Sequence, residues 1–142
     1  MNILVSSCLL GLNCRYNGEG ILSSDIIKLK SKHNLIPFCS EIYGGLPTPR
    51  EPAEIIDGKV MTASGLDVTK EYLAGAKQAL NICELLGCKT AILKENSPSC
   101  GYHTIHNGKF DGGLVKGDGV TAELLSRNGI IVIGESQIDS FL

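Results

Sequence analysis

The chain has 142 residues, of which 43% are hydrophobic and 20% are charged, and this balance predicts one compact domain over residues 1–142. A net charge of −2 argues against a large non-specific surface for nucleic acid. No apolar run approaches the roughly 18 residues of a membrane-spanning helix. Met1 leads straight into a strand without a basic leader, so we expect a cytoplasmic protein that does not bind membranes.

In chain order, four short apolar strands alternate with helices. The strands are predicted over Asn2–Ser6, Leu35–Phe38, Thr90–Leu93 and Ile130–Ile133. The helices are predicted from Ser23 or Ser24 to Lys32, from the capping Asp67 to the terminating Gly87, over Val120–Arg127 and, as a terminal helix or tail, over Gln137–Leu142. This alternation predicts an α/β fold: a three-layer α/β/α domain around a mostly parallel, four-stranded, Rossmann-like sheet.

Two dipeptides predict small β-hairpin insertions into this fold. Asp57-Gly58 lies at the centre of residues 54–61, and Asn107-Gly108 joins Thr104–His106 to Lys109–Phe110. Both dipeptides supply the positive backbone angles that two-residue hairpin turns need. We therefore expect two short hairpins in addition to the main sheet.

Three of the six cysteines follow three different predicted strands. Cys8 comes after the first strand, Cys39 after the second and Cys100 after the third. Because ligand chemistry in open α/β sheets collects at the carboxyl ends of the strands, we expect these thiols to converge. Cysteines in a reducing compartment favour metal binding or catalysis over disulfides. Without an obvious histidine partner, they favour zinc with one open position, or an iron–sulfur cluster with one iron that lacks a protein ligand.

Polar residues in the same loops are candidates for chemistry. Ser97 and Ser99 lie beside Cys100 in a turn stiffened by a proline, and Glu41 lies two positions after Cys39, where a carboxylate can act as the base for an attacking water. Arg15 and Tyr16 can orient a planar or anionic ligand. The alternatives remain a solvated glutamate and an ordinary surface Arg-Tyr pair.

The other cysteines and histidines are not the preferred metal ligands. Cys83 lies on the apolar stripe of the long helix and Cys88 opens the next strand, so both are expected to pack as small hydrophobes. Cys14 lacks the two-residue spacing to another cysteine that a zinc ribbon needs. His103 and His106 are expected to have polar roles at the surface.

Three ordered motifs, spread over nearly the whole chain, resemble those of the DUF523 family. They are Ser7-Cys8-Leu9-Leu10-Gly11 with Cys14-Arg15-Tyr16-Asn17-Gly18, then Cys39-Ser40-Glu41 with Gly44–Arg50 and Glu54, then Ser97-Pro98-Ser99-Cys100-Gly101. The resemblance implies a [4Fe-4S] cluster with three cysteine ligands, Cys8, Cys39 and Cys100, and one open iron. It also implies a non-redox, hydrolytic desulfidase that converts thiolated pyrimidines of the thiouracil or thiouridine type to the oxo form and releases sulfide.

The resemblance assigns catalytic roles as well. Glu41 matches a catalytic glutamate, and a serine of the third motif assists it, with Ser97 preferred to Ser99. We expect the substrate, a small thiolated base or nucleoside or a thiolated tRNA, to contact three residues: Arg15, Tyr16 and Arg50. The alternative function, from another class, is a zinc-thiolate or sulfur-carrier protein without desulfidase activity.

Three positions need separate comment within this resemblance. Cys14 need not be cysteine in relatives, so it is not counted among the cluster ligands. Ser40 stands where the family usually has proline, and Asn17 stands where it usually has aspartate. These departures concern loop stiffness and substrate contacts.

Overall fold

The computed structural model describes residues 1–141, so the end of the predicted terminal segment at Leu142 lies outside the described residues. Within that range the strands are β1 (Asn2–Ser6), β2 (Asn34–Phe38), β3 (Ala53–Ile56), β4 (Lys59–Thr62), β5 (Thr90–Leu93), β6 (Thr104–His106), β7 (Leu114–Lys116) and β8 (Ile131–Gly134). The α-helices are α1 (Ser24–Lys28), α2 (Ser40–Tyr43), α3 (Thr69–Leu86) and α4 (Val120–Arg127). Shorter 3₁₀ segments cover Ser7–Leu9, Leu29–Ser31 and Glu135–Phe141.

The main sheet has the strand order β2-β1-β5-β8, and all three neighbouring pairs are parallel. The predicted α/β architecture with a four-stranded parallel sheet is therefore confirmed. The chain runs outward from the centre of the sheet in two directions, first from β1 to β2 and later from β5 to β8. The carboxyl ends of β1 and β5 therefore flank the point where the strand order reverses, which is the usual ligand position in such sheets.

The two faces of the sheet bury alternate residues of each strand, as the two-residue period of a strand requires. On one face, Ile3, Val5 and Ile92 pack with residues of α1 and of the 3₁₀ segments. On the other face, Leu4 and Ala91 pack with α3 and α4. Helices thus cover both faces, which explains why these short strands are almost wholly apolar.

The first predicted hairpin is confirmed, but the pairing predicted for the second is wrong. β3 and β4 pair around Asp57 and Gly58, which have positive φ angles of 50° and 79°. β6 pairs with β7 and not with residues 109–110. The reason is a long-range contact, because the backbone N–H groups of Gly108 and Phe110 donate to Glu54 Oε1 at 2.9 and 3.2 Å. The loop 107–113 is therefore drawn towards β3.

Helices α2 and α3 approach each other closely enough that two positions must lack a side chain. A Cβ atom at Gly75 would collide with the carbonyl oxygen of Ser40, and one at Gly44 would collide with the carbonyl oxygen of Glu71. This contact holds the segment that begins at Cys39 against the longest helix. Across residues 1–141, no helix has both the length and the apolar character needed to cross a bilayer.

Candidate active site

A cavity of about 450 Å³ lies at the carboxyl edge of the main sheet. Its lining includes Cys8, Cys39 and Cys100, which follow β1, β2 and β5, together with Glu41 and Ser97. The three thiols are buried, with residue exposures of 7%, 9% and 7%. The structure thus brings the three predicted ligands and two of the predicted catalytic residues into one enclosed space.

Local backbone structure fixes where each of these three thiols lies. Cys8 is in the 3₁₀ turn that follows β1 directly, and Cys39 has extended geometry at the position that caps α2. Cys100 ends a tight turn in which its own N–H donates to Ser97 Oγ at 2.7 Å. Cys8 and Cys100 are therefore presented by short, hydrogen-bonded turns, and Cys39 by the extended residue between β2 and α2.

Cys14 is a fourth thiol in the same cavity, and sequence reasoning had set it apart. Cys39 Sγ donates to the carbonyl oxygen of Cys14 at 3.8 Å. Interaction with the Cys39 thiol lowers the pKa of Cys14, but interaction with the Cys8 thiol and burial outweigh it and raise the pKa to about 11. Backbone bonds from the returning loop, such as Ile21 N–H to the Cys8 carbonyl, create this proximity and have no simple signature in the sequence.

Glu41 lies next to Cys39 and is held in place from two sides. Cys39 Sγ donates to Glu41 Oε2 at 3.2 Å, and Arg50 Nη2 lies 3.8 Å from the same oxygen. The hydrogen bond with Cys14, then burial and the charge of Glu41, raise the pKa of Cys39 well above its ordinary value. The charge of the carboxylate therefore favours the protonated form of the Cys39 thiol.

Arg50 connects two loops of this site through hydrogen bonds. Its Nη2 donates to the Cys14 carbonyl at 3.0 Å, while Nη1 donates to the Pro47 carbonyl at 3.2 Å and to Thr48 Oγ1 at 3.1 Å. Its own backbone N–H donates to the Tyr16 carbonyl at 2.7 Å. The planar guanidinium thereby ties the first loop to the segment that carries Glu41.

Cys100 has hydroxyl groups on two sides. Ser6 Oγ donates to Cys100 Sγ at 3.4 Å and accepts a hydrogen bond from Lys94 N–H at 3.0 Å. Burial, followed by the charge of Glu41, raises the pKa of Cys100 to about 12, although the Ser6 hydroxyl acts in the opposite direction. Sequence reasoning did not single out Ser6, because a serine at the end of a strand carries no distinctive signal.

The two candidate serines have different surroundings. Ser97 lines the cavity, whereas Ser99 is fully buried and is not part of the lining. Ser99 Oγ lies 3.1 Å from Thr121 Oγ1, and Thr121 donates in turn to Ser40 Oγ at 2.7 Å. The Ser97 hydroxyl therefore lies on a residue of the cavity lining, whereas the Ser99 hydroxyl belongs to a buried network and also accepts a hydrogen bond from Cys100 Sγ at 3.8 Å.

Arg15 and Tyr16 lie on the more open part of the lining. The Arg15 guanidinium carbon is 5.9 Å from the centroid of the Tyr16 ring, and Tyr16 is 43% exposed. His106, for which we expected a surface role, also lines the cavity, and its Nδ1 is buried without a hydrogen-bond partner in the described part of the chain. The alternating pattern of the strand did not predict that His106 lines the cavity, because β6 pairs with a different segment from the one predicted.

The donor set fits a cluster better than a single ion. The candidate ligands are soft thiols carried by three separate loops. Among the side chains described, no three His, Cys, Asp or Glu residues are grouped closely enough to hold one metal ion. A [4Fe-4S] cluster is wider than a single ion and binds each cysteine through a different iron, so more widely spaced thiols suit it.

Comparison with known proteins agrees with this donor set. The family model for 2-thiouracil desulfurase matches residues 3–137. The uncharacterized protein YbbK of Bacillus subtilis (strain 168) is 47% identical over 150 aligned positions, which cover 99% of each chain. The solved structure of the [4Fe-4S]-dependent thiouracil desulfidase TudS is 46% identical and has a TM-score of 0.92, covering 99% of this chain and 94% of that one. The chain therefore belongs to the 2-thiouracil desulfurase family.

Proposed function

We propose that this protein is a [4Fe-4S]-dependent thiouracil desulfidase, which replaces the sulfur of a thiolated pyrimidine with oxygen from water. The observation that carries the proposal is the convergence of Cys8, Cys39 and Cys100 with Glu41 in one cavity. Family membership and the similarity to TudS support it. Thiocarbonyl and water become carbonyl and hydrogen sulfide, so the reaction needs no net transfer of electrons.

Cys8, Cys39 and Cys100 would hold the cluster, and each would bind as a thiolate. When bound, a cluster with three cysteine ligands supplies one open iron, a Lewis acid that attracts the thiocarbonyl sulfur and draws electron density from its carbon. The protons of Cys39 and Cys100 must be released on binding, because burial favours the protonated form of both thiols in the cofactor-free protein. Burial accounts for most of the raised pKa of Cys100.

Glu41 is the proposed base. In the protein with free thiols, Glu41 Oε2 accepts the hydrogen bond from Cys39 Sγ. A thiolate at Cys39 has no proton to donate, so the same oxygen becomes available to accept a proton from a water molecule. Arg50 keeps that oxygen in place from 3.8 Å away, and we assign it a positioning role, because both Nη1 and Nη2 already donate to protein acceptors.

Ser97 is the proposed partner of Glu41. Its Oγ accepts the N–H of Cys100 at 2.7 Å, so the hydroxyl proton remains available to a group in the cavity. That proton can orient the attacking water or stabilise the oxygen that replaces sulfur. Arg15 and Tyr16, on the more open part of the lining, would contact the face or edge of the base.

The dimensions of the site favour a small substrate. A volume of about 450 Å³ is within the range of ordinary small-molecule sites, which suits a thiolated base or nucleoside. A thiolated tRNA would have to turn its modified base out of the stack and into the same cavity. We further propose that residues 1–142 act as a single domain in the cytoplasm, where the six free cysteines would stay reduced.

The test is anaerobic reconstitution with iron and sulfide, followed by metal analysis and an assay with 2-thiouracil, 4-thiouracil, 4-thiouridine and thiolated tRNA. We expect a brown protein with about four irons per chain, as a [4Fe-4S] centre requires. We also expect equal amounts of sulfide and oxo product from at least one free base or nucleoside. A colourless protein with stoichiometric zinc and no sulfide release would contradict the proposal and support the zinc-thiolate alternative.

A further inference from the structure

Glu54 is a buried carboxylate on the wall that the first hairpin contributes to the cavity. The residue is 7% exposed and lines the cavity. Its Oε1 accepts two backbone hydrogen bonds, from Gly108 at 2.9 Å and from Phe110 at 3.2 Å. Oε1 therefore holds the loop 107–113, and this fixes the orientation of the second oxygen, Oε2.

The second oxygen of Glu54 has no protein partner. No hydrogen bond or ion pair reaches Oε2 from any side chain or backbone group described here. Among the described residues, the polar side-chain atoms sealed from solvent without a partner are Glu71 Oε2 and His106 Nδ1, so Glu54 Oε2 is not sealed, and Glu54 lines the cavity. An acceptor that is held in place, largely desolvated and without a protein donor is costly unless a ligand supplies a donor.

We propose that Glu54 determines the base specificity of the site by accepting a ring N–H of the thiolated pyrimidine through Oε2. The inference rests on the proposed function and adds the group that recognises the substrate. A base of the uracil type carries an N–H between its two carbonyl or thiocarbonyl groups. A base of the cytosine type carries a lone pair there, which a carboxylate oxygen repels.

The position of Glu54 suits recognition rather than proton transfer. Glu41 lies beside the thiols, whereas Glu54 belongs to the hairpin, where Ala53 packs with Tyr72 of α3. Tyr72 also lines the cavity, and the charge of Glu41 contributes to the raised pKa of its phenol, for which burial is the main cause. The site therefore has a reactive side and a hairpin side, and Glu54 is the fixed acceptor on the latter.

The test combines Glu54→Gln with methylated ligands in the reconstituted holoenzyme. Glutamine keeps the shape but cannot accept the two loop N–H groups and the substrate N–H at once. We expect the variant to raise the KM for thiouracil by about 10- to 100-fold, the size of a lost hydrogen bond to a charged group, with a smaller change in kcat. The inhibition constants of uracil, 1-methyluracil and 3-methyluracil then measure binding without chemistry.

In the native enzyme, the methyl group of 3-methyluracil should weaken inhibition, and in Glu54→Gln the same methyl group should weaken it at least about tenfold less. Asp57→Asn, which removes a carboxylate from the turn of the same hairpin and preserves its left-handed backbone, should match the native enzyme. An N3-methylation penalty that is equal in both proteins would overturn the proposal, whatever the penalty at N1. So would native enzyme that binds 3-methyluracil as tightly as uracil, a result that needs no variant.

Failure of the proposed function gives a different result. If native holoenzyme releases no sulfide from any thiolated base, the desulfidase assignment fails whatever Glu54 does. If native holoenzyme is active and the N3-methylation penalty does not depend on Glu54, only the specificity proposal fails.

Discussion

The six cysteines divide into two groups that burial alone does not separate. Cys8, Cys14, Cys39 and Cys100 line the cavity, whereas Cys83 and Cys88 pack in the hydrophobic core beside α3 and β5. All six are free and buried. Burial raises the pKa of Cys83 to about 12, a value similar to that of Cys100. A buried thiol with a raised pKa is therefore not by itself a sign of function.

The two sets of cysteines differ in the side chains that surround them. Cys100 contacts the Ser6 hydroxyl and Cys39 contacts the Glu41 carboxylate, and both follow the ends of sheet strands. Cys83 and Cys88 lie among residues such as Ala79 and Leu125, at the left-handed Gly87 turn that ends α3. Polar partners at the carboxyl edge of the sheet are what distinguish a candidate ligand from a packed thiol.

The largest effect is expected from comparing one cysteine of each group. Cys39→Ala should abolish cluster binding and desulfidation, because two thiolates cannot hold a cluster that requires three. Cys83→Ala should keep both, at a cost of about 1 to 2 kcal/mol in the free energy of unfolding for a small core truncation. Iron per chain after reconstitution and sulfide release measure the difference. If Cys39→Ala retained full iron content and activity, the proposed difference in function between the two sets of cysteines would be wrong.

The second largest effect is expected at Glu41, whose carboxylate contacts a cysteine that lines the cavity. Glu41→Gln should lower kcat by about 10²- to 10⁴-fold, the usual contribution of a general base, while iron content stays the same. Glu123→Gln, an exposed substitution on α4, is the matched control. An undiminished rate in Glu41→Gln would remove this residue from the mechanism.

The third comparison uses the two serines of one turn. Ser97→Ala should lower kcat by about 10²-fold, the size of one lost donor to the transition state. Ser99→Ala should leave kcat nearly unchanged and lower the free energy of unfolding by about 1 kcal/mol, because it removes a buried hydrogen bond with Thr121. The reverse pattern, a kinetic defect in Ser99→Ala alone, would show that the buried network acts in catalysis.

A pH titration of the cofactor-free protein tests the contribution of a core cysteine, Cys83, to the free energy of unfolding. The folded protein holds Cys83 protonated, with a pKa of about 12 against its ordinary 9.0. Its stabilising contribution is therefore complete below pH 9 and is lost as the pH rises towards 12, by about 1.4 kcal/mol per pH unit. Urea unfolding between pH 8 and 11 should give a flatter dependence for Cys83→Ala than for the native chain. Parallel curves would show that Cys83 does not contribute.

The smallest effect is expected at Ser40, which adjoins Cys39 but turns its hydroxyl towards the buried network. Proline, the usual residue of the family, is tolerated at the first position of a helix such as α2. Ser40→Pro should therefore change the free energy of unfolding by less than about 1 kcal/mol, since Thr121 keeps its contact with Ser99. Thermal melting and the kcat of the holoenzyme check this. A fall in kcat comparable to that of Glu41→Gln would mean that the hydroxyl matters to the site.

The sheet could be predicted from local patterns because its strands are short apolar runs covered on both faces. The bounds of β1, β5 and α4 agree with the prediction, β2 begins one residue earlier than predicted, and β8 is shifted by one residue at both ends. The second hairpin could not be predicted in this way. Asn107-Gly108 favours a tight turn, but a carboxylate that lies far back in the sequence, Glu54, binds the backbone just beyond it.

The candidate site was predictable only where topology alone determines position. Cys8, Cys39 and Cys100 follow parallel strands, so their arrival at one edge follows from the fold class. The thiol of Cys14 reaches the same place through an irregular loop whose path depends on long-range hydrogen bonds, and Arg50 was expected there only from the family resemblance. No spacing rule encodes such a path.

The close backbone packing at Gly44 and Gly75 determines which part of the enzyme can change its sequence and length. Backbone already touches backbone there, so the segment with Cys39 and Glu41 cannot move back to admit a bulkier molecule. The opposite wall is a surface loop, residues 107–113, pinned to β3 by two amide hydrogen bonds. Engineering for larger substrates should therefore remodel that loop and leave the helix pair unaltered, because only the loop can be lengthened without disturbing the chemistry.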